Sequence, residues 1–598
     1  MKYEDLANLK NIFGFDHYKT GQQHIINQIL NGKDVLTVMP TGGGKSLCYQ
    51  LPATLFEGLT LVVSPLIALM QSQVKQLQLM GVKAGSFNSS NTKNQNNETM
   101  SLLLKNELKM LYIAPERLIK QETIDLLKTK KISLLAIDEA HCVSQWGHDF
   151  RKEYLKLGEL RRELSMVQTI ALTATADETT RKDIIDKIFP KKPSIFIAGF
   201  DRPNIYLSML PKNNAKKQIL SFIEPLKGQT GIIYCSTRKK TDEWAEFLKI
   251  NKFNALPYHA GMNIDDRRKN LEAFIQEDGI VMTATIAFGL GIDKPNVRFV
   301  CHANMPGNIE SYYQEIGRAG RDGLPSSNLT IYGLDDISLR SRQINEQDSN
   351  DEKKRLERQR LNQLIAMCEA TRCRRQVLLS YFGEKKIEAC NNCDICKNGV
   401  KLIDGTKDAQ KILSAIKRTG ERFGVAHIVD ILIGNKTENV KKYSHDTLKT
   451  FNVGKDLDKN TWQSIIRQLF SAGHISIDIE NYGALKILKT GSDVLFNSHE
   501  FKRREEVLSA KPIILKNKNN FDDFKIEDEE LYSKLRELRL EFAKKLKMPA
   551  YVIFPDKTLI EMANCKPKNS KELGQVYGVG VVKLKKFGKY FLKLIADH

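Results

Sequence analysis

A glycine-rich loop between an apolar run and a helical segment restricts the possible folds of this chain more than any other feature. The loop reads MPTGGGKS over residues 39–46 and follows the predicted strand Val35–Met39. Glycines let the N–H groups of such a loop converge on phosphate oxygens, and the following helix N-terminus adds positive potential. Lys45 would then reach the β- and γ-phosphates of a nucleotide, and Ser46 would hold Mg²⁺. The strict pattern has glycine in place of Met39, but the strand–loop–helix setting still predicts a nucleotide site.

A polar side chain upstream of this loop is a candidate for contact with the base. Gln22 follows the segment YKTG and offers an amide donor and acceptor that suit the adenine edge. By itself, such a glutamine would be read as a surface residue. The candidate nucleotide-binding residues are Gln22, Thr41, Gly42, Gly43, Gly44, Lys45 and Ser46.

Two consecutive acids follow a second apolar run and complete the predicted site. The run Leu134–Asp138 ends in Asp138 and Glu139 about 90 residues after the loop. Asp138 would lie near Mg²⁺, and Glu139 near the attacking water as general base. An Asp-Glu pair alone usually marks a solvated strand end. Together with the phosphate loop it predicts ATP hydrolysis.

Charge and composition narrow the class of protein. The 598 residues contain 92 Lys and Arg against 71 Asp and Glu, a formal charge of +21, which points to a polyanionic partner such as nucleic acid. A lysine-rich proteome is the alternative explanation. No apolar run approaches the ~18 residues of a membrane span, and the start MKYEDLANLK lacks a secretory signal. We therefore expect a cytoplasmic protein and exclude membrane, secreted and disulfide-scaffold classes.

Short β-branched runs alternate with helical stretches over the first ~335 residues, which predicts βαβ units around parallel sheets. The rhythm restarts after residues 200–203, so we expect two α/β lobes. A charged helix over 350–367 would place Leu361, Leu364, Ile365 and Cys368 on one apolar face. The predicted strands are Val35–Met39, Leu61–Ser64, Leu111–Ala114, Leu134–Asp138, Thr169–Thr173, Gly231–Cys235, Ile280–Ala284, Phe299–Ala303 and Leu329–Tyr332.

Four cysteines form a candidate metal site. Cys373, Cys390, Cys393 and Cys396 give the spacing C-x16-C-x2-C-x2-C, which suits a closed tetrahedral structural zinc. Cys368 competes as fourth ligand, but its place on the apolar helical face favours burial. An iron–sulfur cluster would use the same four ligands.

Eight further segments carry a resemblance to a known family. The chain resembles RecQ-type DNA helicases of helicase superfamily two over essentially its whole length. Lys152 stands where proline is usual in that family. The segments are SPLIALMQSQV (64–74), YIAPERL (112–118), DEAHCVSQWGHDFRKEY (138–154), ALTATAD (171–177), IIYCSTR (232–238), YHAGM (258–262), TATIAFGLGIDKPNVRFV (283–300) and ESYYQEIGRAGRDG (310–323).

The resemblance implies a multidomain α/β fold with five folded units. It implies RecA-like lobes over 1–200 and 201–337, a helical zinc-binding module over 338–402 and a winged helix over 403–496. A linker over 497–523 would lead to a small all-α domain over 524–598, similar to a module shared with ribonuclease D. The resemblance also favours Zn²⁺ over an iron–sulfur cluster at the four cysteines.

The resemblance assigns candidate roles residue by residue. Arg321 is the better candidate for an arginine finger, reaching the nucleotide from the second lobe. The aromatic loop after the acid pair would stack on unpaired bases. The alternative is that Trp146 and Phe150 are core anchors. The catalytic candidates are Lys45, Asp138, Glu139, Gln314, Arg318 and Arg321, and the DNA-binding candidates are Trp146, His148, Phe150, Arg151, Tyr154 and Tyr482.

Contacts of the C-terminal modules with DNA are further expectations. Tyr482 would tip a hairpin near Ile475–Leu488 and wedge against the last base pair, an exposed turn aromatic being the alternative. Arg422, Lys441 and Lys442 are candidate phosphate contacts. Four lysines early in the last helix would bind single strands, with a partner-binding or folding role as an equal alternative; they are Lys583, Lys585, Lys586 and Lys589.

The resemblance implies an ATP-dependent helicase that moves 3′→5′ on single-stranded DNA and unwinds duplexes in recombination, repair and the SOS response. Its cofactors would be Mg²⁺ and Zn²⁺, and its partners DNA, ATP and a single-strand-binding protein. Two alternatives stand: an RNA helicase, because the Asp-Glu-Ala-His segment is shared with such proteins, and a winged-helix DNA-binding regulator whose motor has decayed.

Overall fold

The computed structural model contains two parallel-sheet lobes, followed by three smaller units. It describes residues 6–40, 42–89, 91–144, 151–164, 166–174, 176, 178–289, 294–347, 351–384, 386, 388–478, 483–496, 499–505, 526–546 and 548–598. Among them, no helix is long and apolar enough to span a bilayer.

Lobe 1 is built on a seven-stranded parallel sheet with the order β3-β4-β2-β5-β6-β1-β7. Alternate residues of a strand face opposite sides of a sheet. Leu36 and Val38 accordingly pack into one core, and Val35 and Met39 into the other. The strands are β1 Val35–Val38, β2 Leu59–Val63, β3 Ala84–Phe87, β4 Met110–Ile113, β5 Ile132–Ile137, β6 Thr169–Thr173 and β7 Ser194–Ile197. Its helices are Gln22–Leu30, Leu47–Leu55, Ile67–Leu79, Lys93–Leu104, Pro115–Leu118, Gln121–Lys128, Leu157–Glu163 and Glu178–Ile188.

Lobe 2 repeats the plan with six parallel strands in the order β10-β11-β9-β12-β13-β8. Its strands are β8 Ile205–Pro211, β9 Gly231–Tyr234, β10 Asn254–Tyr258, β11 Ile280–Ala284, β12 Phe299–His302 and β13 Ser326–Tyr332. Its helices are Ala215–Ile223, Arg238–Ile250, Ile264–Gln276, Ile309–Ile316 and Leu334–Glu346. All nine predicted strands are confirmed with small differences at their ends, and β3, β7, β8 and β10 are additional.

The helical zinc-binding module is attached to β8. The amide of Leu207 donates to the Asn392 carbonyl at 3.3 Å, and the amide of Met209 donates to the Asp394 carboxylate at 3.0 Å. Asp394 also binds the buried Arg374 at 2.7 Å. The module's helices are Asp351–Cys368, Arg374–Tyr381 and Asp394–Asn398, and the first buries Leu361, Leu364, Ile365 and Cys368 as predicted.

The fourth unit is a helical domain with a two-stranded hairpin. The predicted hairpin is confirmed as β15 Ile475–Asp478 paired antiparallel with β16 Ala484–Ile487. Strand β17 Lys502–Arg504 pairs with β14 Leu402–Asp404, so part of the predicted linker belongs to this unit. The helices are Thr406–Arg418, Val425–Leu432, Glu438–Lys442, Lys459–Ser471 and Lys489–Leu495.

A buried charge cluster joins this unit to the two before it. Glu369, at the end of the long zinc-module helix, accepts a hydrogen bond from Arg467 at 3.1 Å and forms an ion pair with Arg504 at 2.9 Å. Arg504 also donates to the Tyr332 hydroxyl in lobe 2. We call Glu369, Arg467, Arg504 and Tyr332 the junction cluster.

The C-terminal domain is all-α and has its own apolar core. Leu531, Phe554, Leu559 and Phe591 are buried at its centre. Its helices are Glu529–Leu546, Ala550–Ile553, Asp556–Cys565, Ser570–Leu573 and Val581–Ala596.

Candidate functional site

A cavity of about 320 Å³ lies where the two lobes meet. It opens at the carboxyl ends of β1 and β5, the edge at which parallel sheets place their binding loops. Lobe 1 contributes Gly42, Gly44, Lys45, Ser46, Asp138 and Glu139, and lobe 2 contributes Gln314, Arg318 and Arg321. The sequence-predicted catalytic residues therefore line one cavity.

Close packing and backbone conformation explain the glycines of the loop. Gly42 and Gly44 have φ of +81° and +84°, a region that favours glycine. A Cβ on Gly44 would lie 2.3 Å from the side-chain nitrogen Nε2 of Gln22. That nitrogen donates to the Gly44 carbonyl at 3.0 Å, and the side-chain oxygen Oε1 of Gln22 accepts from the backbone amide of Lys19 at 2.8 Å. Thus Gln22 braces the phosphate loop.

Two lysines bind the loop's own carbonyl groups. Lys45 donates to the Met39 carbonyl at 3.0 Å, and Lys19 donates to the Gly42 carbonyl at 3.0 Å. Lys19 was not singled out by the sequence reasoning, although it lies three residues before Gln22 and could have been found from that neighbourhood. Thr41, predicted to bind the nucleotide, lies outside the described residues.

The acid pair is buried at the end of β5. Burial, and next the charge of Glu139, raise the pKa of Asp138 to about 7. Glu139 adopts a left-handed backbone conformation with φ of +49°. Its carboxylate oxygen Oε2 lies 3.3 Å from Nδ1 of His141. His141 in turn lies 3.0 Å from the Thr173 hydroxyl at the end of β6. His141 also lines the cavity and is a functional candidate that the sequence reasoning missed.

The lobe 2 wall is held in place by the half-buried Arg202. Arg202 donates to the carbonyls of Ala319 and Gly320, each at 2.9 Å, so it fixes the turn between Arg318 and Arg321. The Arg321 backbone comes within 3.3 Å of the space that a Cβ on Gly42 would fill. The Nε atom of Arg318 is buried and has no hydrogen-bond partner within the described part of the chain. The phosphate loop and the arginine turn are thus in contact.

The structure corrects one member of the proposed DNA-binding loop. Tyr154 is fully buried, and its hydroxyl donates to the backbone carbonyl of Asp138 at 2.9 Å. The buried ring therefore cannot stack on a base. Its hydroxyl instead supports the backbone of the acid pair. Arg151 lies nearby, 3.8 Å from Glu116. Trp146, His148 and Phe150 lie outside the described residues.

The four predicted cysteines form one metal-binding group. Their Sγ atoms all lie within 4.8 Å of one another, and those of Cys390 and Cys396 are 3.9 Å apart. Tetrahedral thiolate ligands about 2.3 Å from Zn²⁺ lie about 3.8 Å apart. A hydrogen bond from Cys393 lowers the pKa of the Cys390 thiol to about 4. The donor set therefore fits a single Zn²⁺, and Cys368 is buried on its helix as expected.

The remaining DNA-contact candidates fall into two groups. Tyr482 lies outside the described residues, whereas Arg422, Lys441 and Lys442 are exposed. In the last helix Lys585, Lys586 and Lys589 are exposed, but Lys583 is buried and lines the cavity between the lobes. No sequence pattern indicates that placement of Lys583, because it depends on how the C-terminal domain packs.

Comparison with known proteins agrees with this architecture. The chain matches the DEAD/DEAH box helicase family over residues 19–184 and the helicase conserved C-terminal domain over 212–323. The RecQ zinc-binding, RQC and HRDC domain families follow over 334–397, 399–512 and 528–595.

Curated relatives match along the whole chain. The ATP-dependent DNA helicase RecQ of Haemophilus influenzae is 41% identical over 99% of this chain and 96% of its own length. The RecQ proteins of Pasteurella multocida and Bacillus subtilis are 40% and 37% identical, over 100% and 99% of this chain and 94% and 98% of their own lengths. With these relatives and all five domain families present in order, the chain belongs to the RecQ family of helicases.

Proposed function

We propose that this protein is an ATP-dependent DNA helicase that moves 3′→5′ along one strand and unwinds duplex or forked DNA in recombination and repair. One observation carries the proposal: Lys45, Asp138 and Glu139 of lobe 1 share a cavity with Gln314, Arg318 and Arg321 of lobe 2. A site divided between two lobes ties each hydrolysis event to their relative motion.

Each cavity residue has a role that its chemistry supports. Lys45 holds the β- and γ-phosphates after leaving the Met39 carbonyl, and Glu139 accepts a proton from the attacking water. Arg321 stabilises charge on the transferring phosphoryl group, because its turn contacts the phosphate loop. Gln314 and Arg318 orient the nucleotide from the lobe 2 side. The Gln22 amide, which braces the loop, meets the adenine edge.

Mg²⁺ and Zn²⁺ have separate places in this scheme. Ser46 and Asp138 offer oxygen ligands in the same cavity and would hold Mg²⁺, which neutralises phosphate charge when bound. Zn²⁺ at Cys373, Cys390, Cys393 and Cys396 is structural, since a closed four-thiolate site leaves no open position for a substrate.

DNA contacts are proposed for the aromatic loop and the C-terminal units. Trp146, His148, Phe150 and Arg151 would contact the tracked strand, and Tyr482 would separate the duplex. We propose the domain limits that the resemblance implies, with residues 502–504 assigned to the winged helix because they pair with β14. Exposed Arg422, Lys441 and Lys442 would hold duplex phosphates.

The finer biological setting is also part of the proposal. The enzyme would act in the cytoplasm on chromosomal DNA, take part in the SOS response, and cooperate with a single-strand-binding protein. Duplex opening by such a motor is an isomerase activity driven by ATP hydrolysis. The RNA helicase and decayed-motor alternatives predict different outcomes in the experiment that follows.

Strand displacement with ATP and Mg²⁺ tests the proposal on matched substrates. One duplex carries a 3′ single-stranded tail, one a 5′ tail, and one has RNA as the tracking strand; Lys45→Ala is the control. We expect unwinding of the 3′-tailed DNA alone, lost in the variant. Unwinding on RNA instead would support the RNA reading, and DNA binding without displacement would support a decayed motor.

A further inference from the structure

The C-terminal domain packs against lobe 1 at the mouth of the nucleotide cavity. The amide of Gly578 donates to the Gly14 carbonyl at 2.9 Å, and the rings of Tyr577 and Phe15 lie 5.2 Å apart. A Cβ on Gly14 would lie 2.7 Å from the Gly578 backbone. The backbone just before the last helix thus approaches lobe 1. Phe15 and Gly578 both line the cavity.

The same domain is also bound to lobe 2 through charged groups. Arg536 and Arg539 lie 3.3 and 3.4 Å from the Asp278 carboxylate. Burial alone would raise the pKa of Asp278, but Lys294 and these two arginines hold it well below its usual range. The C-terminal domain therefore bridges the two lobes that share the nucleotide cavity.

One lysine of this domain lines the cavity and forms no ion pair with any residue that the structure describes. Lys583 is 7% exposed and lines the cavity together with Lys45, Ser46 and Asp138. Among the described residues, the Lys583 amine makes no ion pair or hydrogen bond, and it lies 5.9 Å from the centre of the Phe554 ring. Burial without an opposing charge lowers the pKa of Lys583 to about 8. A buried ammonium in this state is stabilised by any anion that enters the cavity.

We propose that the C-terminal domain forms a third wall of the nucleotide site and that the Lys583 amine donates to a phosphate of the bound nucleotide. This inference rests on the proposed ATP-dependent activity and adds a contact from outside the two lobes. The phosphates are the anionic part of a nucleotide, so they are the groups that a buried ammonium favours. Its exposed neighbours Lys585, Lys586 and Lys589 remain available for single strands.

The contact couples nucleotide binding to docking of the domain. Enclosing the charged Lys583 opposes docking, because the amine loses its hydration. A bound phosphate offsets that loss, so docking tightens when ATP is present and loosens after the nucleotide leaves. By linkage, undocking the domain must weaken nucleotide binding by the same factor.

Equilibrium binding of fluorescent ATP, ADP and adenosine analogues to the full chain, without DNA, tests the proposal. We expect Lys583→Gln to weaken ATP and ADP by about 10-fold, the value of a charge-assisted hydrogen bond, and adenosine by much less. Lys593→Gln, an exposed site on the same helix, is the matched control and should bind like the wild type. Arg536→Glu, which places a negative charge against Asp278, should reproduce the loss by undocking the domain.

Stability measurements separate this contact from a folding defect. Lys583→Gln removes a buried charge, so its thermal midpoint should equal or exceed that of the wild type. Unchanged ATP affinity in both Lys583→Gln and Arg536→Glu would overturn the inference. Equal losses for adenosine and ATP would overturn the phosphate contact, and so would a loss of single-strand affinity alone. If the wild type binds no nucleotide, the proposed function itself fails.

Discussion

The junction cluster gives a quantitative prediction about how the zinc-binding module is joined to its neighbours. Glu369 is 8% exposed and forms ion pairs with two arginines, Arg467 and Arg504, which are 4% and 8% exposed. Glu369→Gln keeps the shape of the side chain but removes the carboxylate charge that lies against these two buried guanidinium groups. Breaking a buried pair in this way costs about 3–5 kcal/mol. One arginine can still donate to the new amide oxygen, so we expect a loss near the lower limit.

Differential scanning calorimetry of the zinc-loaded chain measures this loss. For a unit of 150–250 residues, 1 kcal/mol shifts the midpoint by about 2–4 °C, so the transition containing lobe 2 and the winged helix should fall by about 6–12 °C. The transition of the C-terminal domain should move less, because this domain has its own apolar core.

A matched surface variant controls for charge removal in general. Glu107 pairs with Lys83 at 2.7 Å, but both side chains are about half exposed, and Glu107→Gln should leave every transition unchanged. Replacing Glu369, Arg467 and Arg504 together by apolar residues should restore much of the midpoint, since all three buried charges are then gone. A Glu369→Gln midpoint within about 1 °C of wild type would refute the reasoning.

Further predictions concern the site and its supports. Tyr154→Phe should cost about 1 kcal/mol in stability and lower the ATPase rate without changing single-strand affinity; a selective loss of DNA binding would contradict its buried position. Gly44→Ala should weaken ATP binding by at least about 10-fold in a fluorescence titration, since its Cβ displaces the Gln22 amide. Removal of Zn²⁺ by a chelator should release one ion per chain, measured with a colorimetric indicator, and lower the first thermal midpoint. Because the pKa of Asp138 is about 7, a proton competes with Mg²⁺ below that pH. The Mg²⁺ requirement of the ATPase should therefore rise by up to about 10-fold per pH unit from pH 7 to 6, and a requirement that is flat with pH would contradict this.

Inner strands were predictable from sequence, and edge strands were not. The nine predicted strands occupy the inner positions of the two sheets, where both faces are covered and apolar runs are continuous. The four missed strands are the four edges. Edge strand β10 contains Pro257, β3 contains Gly85, and β7 alternates partly buried with exposed residues, so these three strands lack the composition of an inner strand.

The site residues that belong to contiguous sequence motifs were predictable from the sequence. Lys45, Asp138 and Arg321 come from three separate segments, and each segment carries its own pattern. Tyr154 lies within such a motif, yet its burial depends on the packing beneath β5, which the motif does not encode. Lys583 lies more than 500 residues after the phosphate loop in the sequence. It reaches the cavity only because the C-terminal domain docks on the lobes, and no local sequence pattern predicts that docking.

The attachment of the zinc module to β8 also bears on solubility. All seven residues of β8 are buried, and β13 satisfies one side of the strand. On the other side, the amide of Leu207 donates to the Asn392 carbonyl and the amide of Met209 donates to the Asp394 carboxylate. Without these bonds, another chain could add a strand at this edge. Loss of zinc would free these donors along an apolar edge. Metal-depleted protein should therefore self-associate through β8 before lobe 2 unfolds, and the zinc module then acts as a guard against aggregation.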